Sequence, residues 1–310
     1  MKIPNLQTEG LTRAIIVLGM VTKFQGLLVD ALDFGYNEEN GPDTWPSIAP
    51  KYCAGDHQSP INIPTAQVAV VDFPPLSYDG FWGARKKATI TNNGHSAEVS
   101  IKSDLPIILN GGPLTEGYTF QQLHFHWGSE STLGSEHTIN GRHYSMEVHL
   151  VHYKSSYGSL QNASNFQDGL AVVAFFLQAY SDLQKNTGFE YLAKAVQSIT
   201  EVGSSASMNH LSITRRLHEK SWSGGYYTYN GSLTTPSCNE VVTWIVYPQY
   251  IPISEKQVDV FRQLKTKEGD QMVQNFRPVQ PLNDREIYYA TSDLNIDTLY
   301  HFREGYSRVI

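Results

Sequence analysis

Two short segments constrain this chain more than any other feature: Gln122-Leu123-His124-Phe125-His126-Trp127 and, further along, Glu147-Val148-His149. Side chains alternate between the two faces of an extended strand, so His124 and His126 point the same way, with Gln122 on that face. Glu147 shares a face with His149 for the same reason. The segments read as neighbouring strands from which three imidazoles converge, with an amide and a carboxylate behind them to hold the rings. Three neutral nitrogens and one open position describe a catalytic zinc site. The bland alternative is that a lone His-x-His is an accident of a strand edge, and eleven histidines in 310 residues is an ordinary number. The in-phase Glu-x-His strengthens the metal reading, because metal-bound histidines usually donate their other N–H to a carboxylate or carbonyl. Spacing alone leaves both readings standing.

A chain of this length can bury one large core or two small ones. Hydrophobic content of 40% with 12% aromatics fits a globular protein rich in β-structure. The formal net charge of −7 argues against a nucleic-acid surface. No internal repeat or low-complexity tract stands out.

Residues 1–32 read as a leader. Lys2 and Arg13 precede a short apolar run from Ala14 to Val21, Lys23 and Gln25 interrupt it, and Gly26-Leu27-Leu28-Val29 resumes it. The run is too short and broken for a membrane span, which needs about 18 apolar residues. It resembles an imperfect secretory signal with a small-residue cleavage site at Val29-Asp30-Ala31, the alternative being a disordered extension. The tail, 304–310, shows no apolar anchor signal. Cys53 and Cys238 would be separate thiols in the cytosol but can pair in an oxidising compartment. Closing that 185-residue separation would restrict the unfolded chain by roughly 5 kcal/mol at most. Asn162-Ala163-Ser164 and Asn230-Gly231-Ser232 are glycosylation sequons, relevant only to a secreted chain.

Residues 33–303 read as one domain. Short β-rich runs recur at Ala88–Thr91, Ala97–Ile101, Ser145–Tyr153, Leu170–Gln178 and Val241–Tyr247, separated by Gly, Pro and Asn clusters. Helical periodicity is confined to Gly188–Thr200 and to Ser254–Lys267, where Ser254 and Gln257 form a capping box. The expectation is a mainly β (α+β) domain with a few peripheral helices and a sheet covered on both faces.

With these residues in place, the chain resembles the α-class carbonic anhydrases over nearly all of its length beyond the leader. The resemblance is carried by ordered blocks: Gln58-Ser59-Pro60-Ile61-Asn62, Asn92-Asn93-Gly94-His95, His124-Phe125-His126-Trp127-Gly128, Gly134-Ser135-Glu136-His137-Thr138, Glu147-Val148-His149-Leu150-Val151-His152, Gly231-Ser232-Leu233-Thr234-Thr235-Pro236 and Asn275-Phe276-Arg277-Pro278. It implies a large twisted, mostly antiparallel sheet with zinc at the floor of a conical cleft. It also implies reversible hydration of carbon dioxide to bicarbonate and a proton, with weak esterase activity and sensitivity to sulfonamides and anions.

The family's roles carry over position by position. His124, His126 and His149 would bind Zn2+, with hydroxide as attacking group. Gln122, Glu147 and the backbone carbonyl of Asn275 would orient the three rings. Thr234 would accept the hydroxide's hydrogen bond while donating its own to Glu136, because an ionised Glu only accepts. Val151, Val172, Leu233, Val242 and Trp244 match the apolar wall for carbon dioxide, with Thr235 beside them. His95 would be the proton shuttle, since imidazole titrates near neutral pH. Tyr36, Asn93 and Glu98 would line the water path to it. Cys53 and Cys238 match a pair that is disulfide-linked in secreted and membrane-bound members, which tilts localisation towards extracellular over cytoplasmic.

Three positions depart from the family pattern. Glu98 stands where many relatives have an amide, Gln121 where they often have an apolar wall residue, and Phe34 where they often have Trp. Glu98 is expected to perturb proton export and to weaken anionic inhibitors. A non-catalytic relative is the rival reading, yet such relatives typically lack a zinc histidine. A zinc peptidase is remote, because no His-Glu-x-x-His helix exists.

Overall fold

β-branched and aromatic runs pack well on a pleated surface, and here they form most of the fold. The computed structural model describes residues 33–80, 87–183, 186–208 and 224–291. The expected leader over 1–32 and tail over 304–310 lie outside the described residues. The strands are β1 (Asn62–Ile63), β2 (Ala69–Val71), β3 (Ser77–Asp79), β4 (Lys87–Asn92), β5 (Ala97–Lys102), β6 (Ile108–Asn110), β7 (Tyr118–Trp127), β8 (Thr138–Ile139), β9 (Met146–Lys154), β10 (Leu170–Tyr180), β11 (Ser205–Met208), β12 (Tyr226–Gly231), β13 (Val242–Ser254) and β14 (Tyr288–Ala290). Among the described residues the helices are short: α1 (Trp45–Ile48), α2 (Leu160–Ala163), α3 (Thr187–Gln197) and α4 (Glu255–Asp259).

Among the described residues, twelve strands form one sheet in the order β11-β4-β5-β7-β9-β10-β13-β12-β14-β2, with β6 beside β7 and β3 beside β6. Within that sheet, pairing is antiparallel except between β10 and β13 and between β14 and β2. The expected mainly β, mostly antiparallel architecture is therefore what the chain adopts.

Register decides what each face carries. Val99, Leu123, Leu150, Val173 and Ile245 lie opposite one another across β5, β7, β9, β10 and β13, and all are buried in the main core. Phe189, Leu192 and Val196 of α3 join that core, as do Val258, Phe261 and Leu264. One residue along, the side chains turn to the other face. There one row reads Glu98, His124, His149, Ala174, Val246. The rows on either side read Gln122, Val151, Val172, Trp244, Tyr229 and His126, Glu147, Phe176. A bulge between Phe120 and Gln122 adjusts β7 against β9 just before the histidines.

Two elements differ from the periodicity. The expected helix over Ser254–Lys267 keeps its capping box at Ser254 and Gln257, but α4 ends at Asp259. A 3-10 turn follows at Phe261–Gln263, and Leu264 is already extended. Phe261 and Leu264 both bury in the core, and the Arg262 Nε–H donates to the Gly128 carbonyl at 2.8 Å. Those tertiary ties tighten the last turn. Strand β13 runs past its expected end at Tyr247, because Pro248 and Gln249 are taken up where the register shifts from Phe175–Tyr247 to Phe176–Tyr250.

Candidate metal centre

The sheet brings His124, His126 and His149 together, with one ring nitrogen from each within 4.8 Å of the others. Each ring has its other nitrogen tied. His124 Nδ1 donates to Gln122 Oε1 at 2.9 Å, His126 Nδ1 to the Asn275 carbonyl at 2.8 Å, and His149 Nε2 to Glu147 Oε1 at 2.6 Å. Those bonds set the tautomers and leave Nε2, Nε2 and Nδ1 as inward lone pairs. His126 Nε2 and His149 Nδ1 lie 3.1 Å apart. Two acceptors at that distance repel each other, whereas the edge of a tetrahedron with zinc–nitrogen bonds of 2.0–2.1 Å is about 3.3–3.4 Å. The donor set thus fits a zinc ion.

The electrostatics agree. Burial lowers the basicity of all three rings; His126 is held at about 3 by burial and by neighbouring His149. Neutral imidazole is the ligating form. Burial alone would push Glu147 up, but His137 and His149 outweigh it and hold it far below the ordinary carboxylate range. Glu136 is displaced upwards, first by burial and then by the charge of Glu147. Its Oε1 accepts the Arg277 backbone N–H at 2.9 Å, while the buried Oε2 lacks a hydrogen bond and sits 3.8 Å from His149 Nδ1. The Thr234 hydroxyl lies beside this carboxyl and favours its charged form, though no bond of normal geometry reaches Oε2. An orphaned carboxylate oxygen facing lone pairs suits a positive centre between them.

Support for His149 extends further than the sequence suggested. His137 Nδ1 donates to the same Glu147 Oε1 at 2.7 Å, and its backbone N–H reaches Oε2 at 2.8 Å. An ionised Glu147 only accepts, so His137 Nδ1 donates to it; in the neutral ring Nε2 then accepts from the Tyr229 hydroxyl at 2.7 Å, and Tyr229 in turn meets Ser59 Oγ at 2.9 Å. His137, Glu147 and His149 also cluster like ligands. Their nitrogens already donate to the carboxylate, so this group reads as a hydrogen-bonded brace. His137 lies within the Gly134-Ser135-Glu136-His137-Thr138 block, and no periodicity points to its partners. The Asn275 side chain was likewise missed: its Nδ2 donates to the His95 and Phe125 carbonyls at 3.0 and 2.9 Å, and its Oδ1 accepts the Trp127 N–H at 2.8 Å.

The expected apolar wall is contiguous. Val151, Val172, Val242 and Trp244 are buried in one cluster with Leu233 packed against it. The Trp244 ring lies 4.8 Å from that of His149. Thr234 and Thr235 follow β12 in a loop closed by the Cys238 N–H on the Thr235 carbonyl at 2.8 Å. Cys53 and Cys238 are disulfide-bonded, and pack with Trp45 against Phe34 and Tyr36. The bridge therefore ties the Thr234 loop to the segment carrying Tyr36.

His95 sits in the turn between β4 and β5, where Asn93 Oδ1 accepts its N–H at 3.0 Å and Gly94 supplies the positive φ of 87°. Its ring stacks on Phe34 with centroids 4.1 Å apart and planes 8° from parallel. Burial, reinforced by the Lys267 charge, lowers it to about 4, below the near-neutral range expected of it from sequence. Asn93 Nδ2 donates to Glu98 Oε2 at 3.3 Å, and burial raises Glu98. Tyr36 lies near Glu136, whose charge adds to burial in raising its hydroxyl. Gln121 is exposed at the β7 bulge. Asn162 and Asn230 are exposed as well.

A sheet that presents three braced imidazoles beside an apolar wall defines a zinc enzyme. A model of the eukaryotic-type carbonic anhydrase family matches residues 40–291, and the chain belongs to that family. It is thus a carbonate dehydratase, a lyase with zinc as cofactor and carbon dioxide as substrate, and the family implies sensitivity to sulfonamides. The chain is 40% identical over 261 residues to carbonic anhydrase 7 of Homo sapiens, covering 82% of this chain and 96% of that one. It is 39% identical over 264 residues to carbonic anhydrase 7 of Mus musculus, with the same coverage. To carbonic anhydrase 4 of Rattus norvegicus it is 35% identical over 253 residues, covering 80% of this chain and 79% of the relative. No helix among the described residues is long and apolar enough to cross a membrane.

Proposed function

We propose that His124, His126 and His149 hold the zinc and that the chain hydrates carbon dioxide by hydroxide attack, with His95 exporting the proton. The observation that carries this reading is the convergence of three lone-pair nitrogens whose outer nitrogens are each already engaged. When bound, zinc supplies Lewis acidity that makes hydroxide available near neutral pH, as is established for carbonic anhydrases generally. Thr234 would orient the nucleophile: its hydroxyl would donate to Glu136 beside it while its lone pair accepts a hydrogen bond from the nucleophile's O–H, so that the nucleophile's own lone pair faces carbon. Val151, Val172, Leu233, Val242 and Trp244, with Thr235 at the margin, hold an apolar substrate and exclude water. Tyr36, Asn93 and Glu98 line the water path between the zinc position and His95, from which the proton leaves for solvent. Slow ester hydrolysis follows from the same nucleophile.

The catalytic domain is proposed to span 33–303. An extracellular setting is supported by the buried Cys53–Cys238 bridge, since such bonds persist in oxidising compartments. The leader signal and the exposed sequons at Asn162 and Asn230 accord with it. Carbon dioxide hydration should vanish on removing metal with a chelator, return with zinc, and be absent in His149→Ala. Activity that persists in fully metal-free protein overturns the reading. A zinc-replete protein without activity favours the binding-module alternative.

A further inference from the structure

Glu98 is the cross-strand partner of His124. Directly opposed residues of an antiparallel pair project to the same face with Cβ atoms about 4.5–5.5 Å apart. Ala97 and Val99 on either side are buried in the core on the opposite face, which places Glu98 on the ligand face. It is half-buried, and its hydrogen-bond partner is the neutral carboxamide of Asn93. Among the described residues no Lys or Arg forms an ion pair with it, although Lys154, Lys194, Lys265 and Arg262 are each paired elsewhere. A formal negative charge therefore stands uncompensated beside a ligand histidine. Charge at that place acts differently on the two sides of the reaction. Carbon dioxide is neutral, whereas bicarbonate and inhibitory anions carry a negative charge to the position that His124 borders.

We propose that Glu98 is a specificity-determining residue, whose carboxylate makes the reactive position favour neutral over anionic ligands. The proposal rests on the zinc reading above. It needs only the charge of Glu98, and gives the side chain no part in binding the metal. Repulsion between like unit charges several ångströms apart, softened by solvent at a half-exposed site, corresponds to about three- to tenfold in affinity.

Cobalt(II) in place of zinc makes binding visible without turnover, because its visible absorption reports coordination. Titration with thiocyanate should show Glu98→Gln binding about three- to tenfold tighter than the unaltered protein, and Glu98→Lys tighter still. Glu98→Asp, which keeps the charge, should stay near the unaltered value. Neutral imidazole should bind all four proteins alike. Equal thiocyanate affinity in Glu98→Gln and the unaltered protein overturns the proposal, as does an equal gain for imidazole, which marks a change of shape. If the unaltered protein develops no cobalt absorption, the zinc reading itself falls, a result distinct from either.

Discussion

His149 and His152 lie on one strand, both buried, and do different work because three residues along a strand reverses the face. His149 joins the metal centre. His152 faces the core, where its Nδ1 donates to the Ala171 carbonyl at 3.2 Å and its Nε2 accepts from the Tyr78 hydroxyl at 2.9 Å. Burial lowers His152 to about 4 from an ordinary 6.5, only partly offset by its backbone bonds. The unfolded chain therefore takes up this proton first as pH falls. Its stabilising contribution is complete above pH 6.5 and is lost as pH drops towards about 4, by at most about 3 kcal/mol. Denaturant midpoints of the zinc-loaded protein measured across that window should fall with pH, and fall less in His152→Gln. Which histidines alternate onto one face was legible in the sequence. That Tyr78 would meet His152, or His137 brace Glu147, was not, because those partners come from distant segments.

At the scale of elements, β7 and β9 bring the three histidines together through register, while the loop between β12 and β13 carries Thr234, the group proposed to aim the nucleophile. The strands were readable because period-two alternation is local. The loop acquires its meaning from what surrounds it: Glu136 arrives from the segment before β8, and its Oε1 is held by the Arg277 backbone. Thr234→Ala should leave zinc content unchanged and lower kcat/KM by about 100-fold or more, the usual cost of removing an oriented hydrogen-bonding group from a reaction site. Metal analysis beside the hydration assay checks both halves. The shortened α4 follows the same logic, since its capping box was visible in sequence whereas the Arg262–Gly128 tie that shapes its end was not.

For the whole molecule, the Cys53–Cys238 bridge joins the aromatic cluster of Phe34, Tyr36 and Trp45 to the Thr234 loop. Replacing both cysteines by serine should lower unfolding free energy by about 2–5 kcal/mol, read from denaturation curves against the oxidised protein. Reductant should weaken the unaltered protein similarly and leave the double variant unmoved.

The sequence by itself determined the residue types and their phase: three histidines, the amide and carboxylate one alternation away, and the apolar runs that build a sheet. Those follow from strand geometry, which is a property of neighbouring residues. Only the tertiary structure decided that Glu98 would stand opposite His124, that Asn275 would clamp the His95 turn to β7, and that His137, Tyr229 and Ser59 would extend the brace behind His149. The physical reason is distance along the chain. Such contacts arise from cross-strand register and long-range burial, which no local pattern encodes.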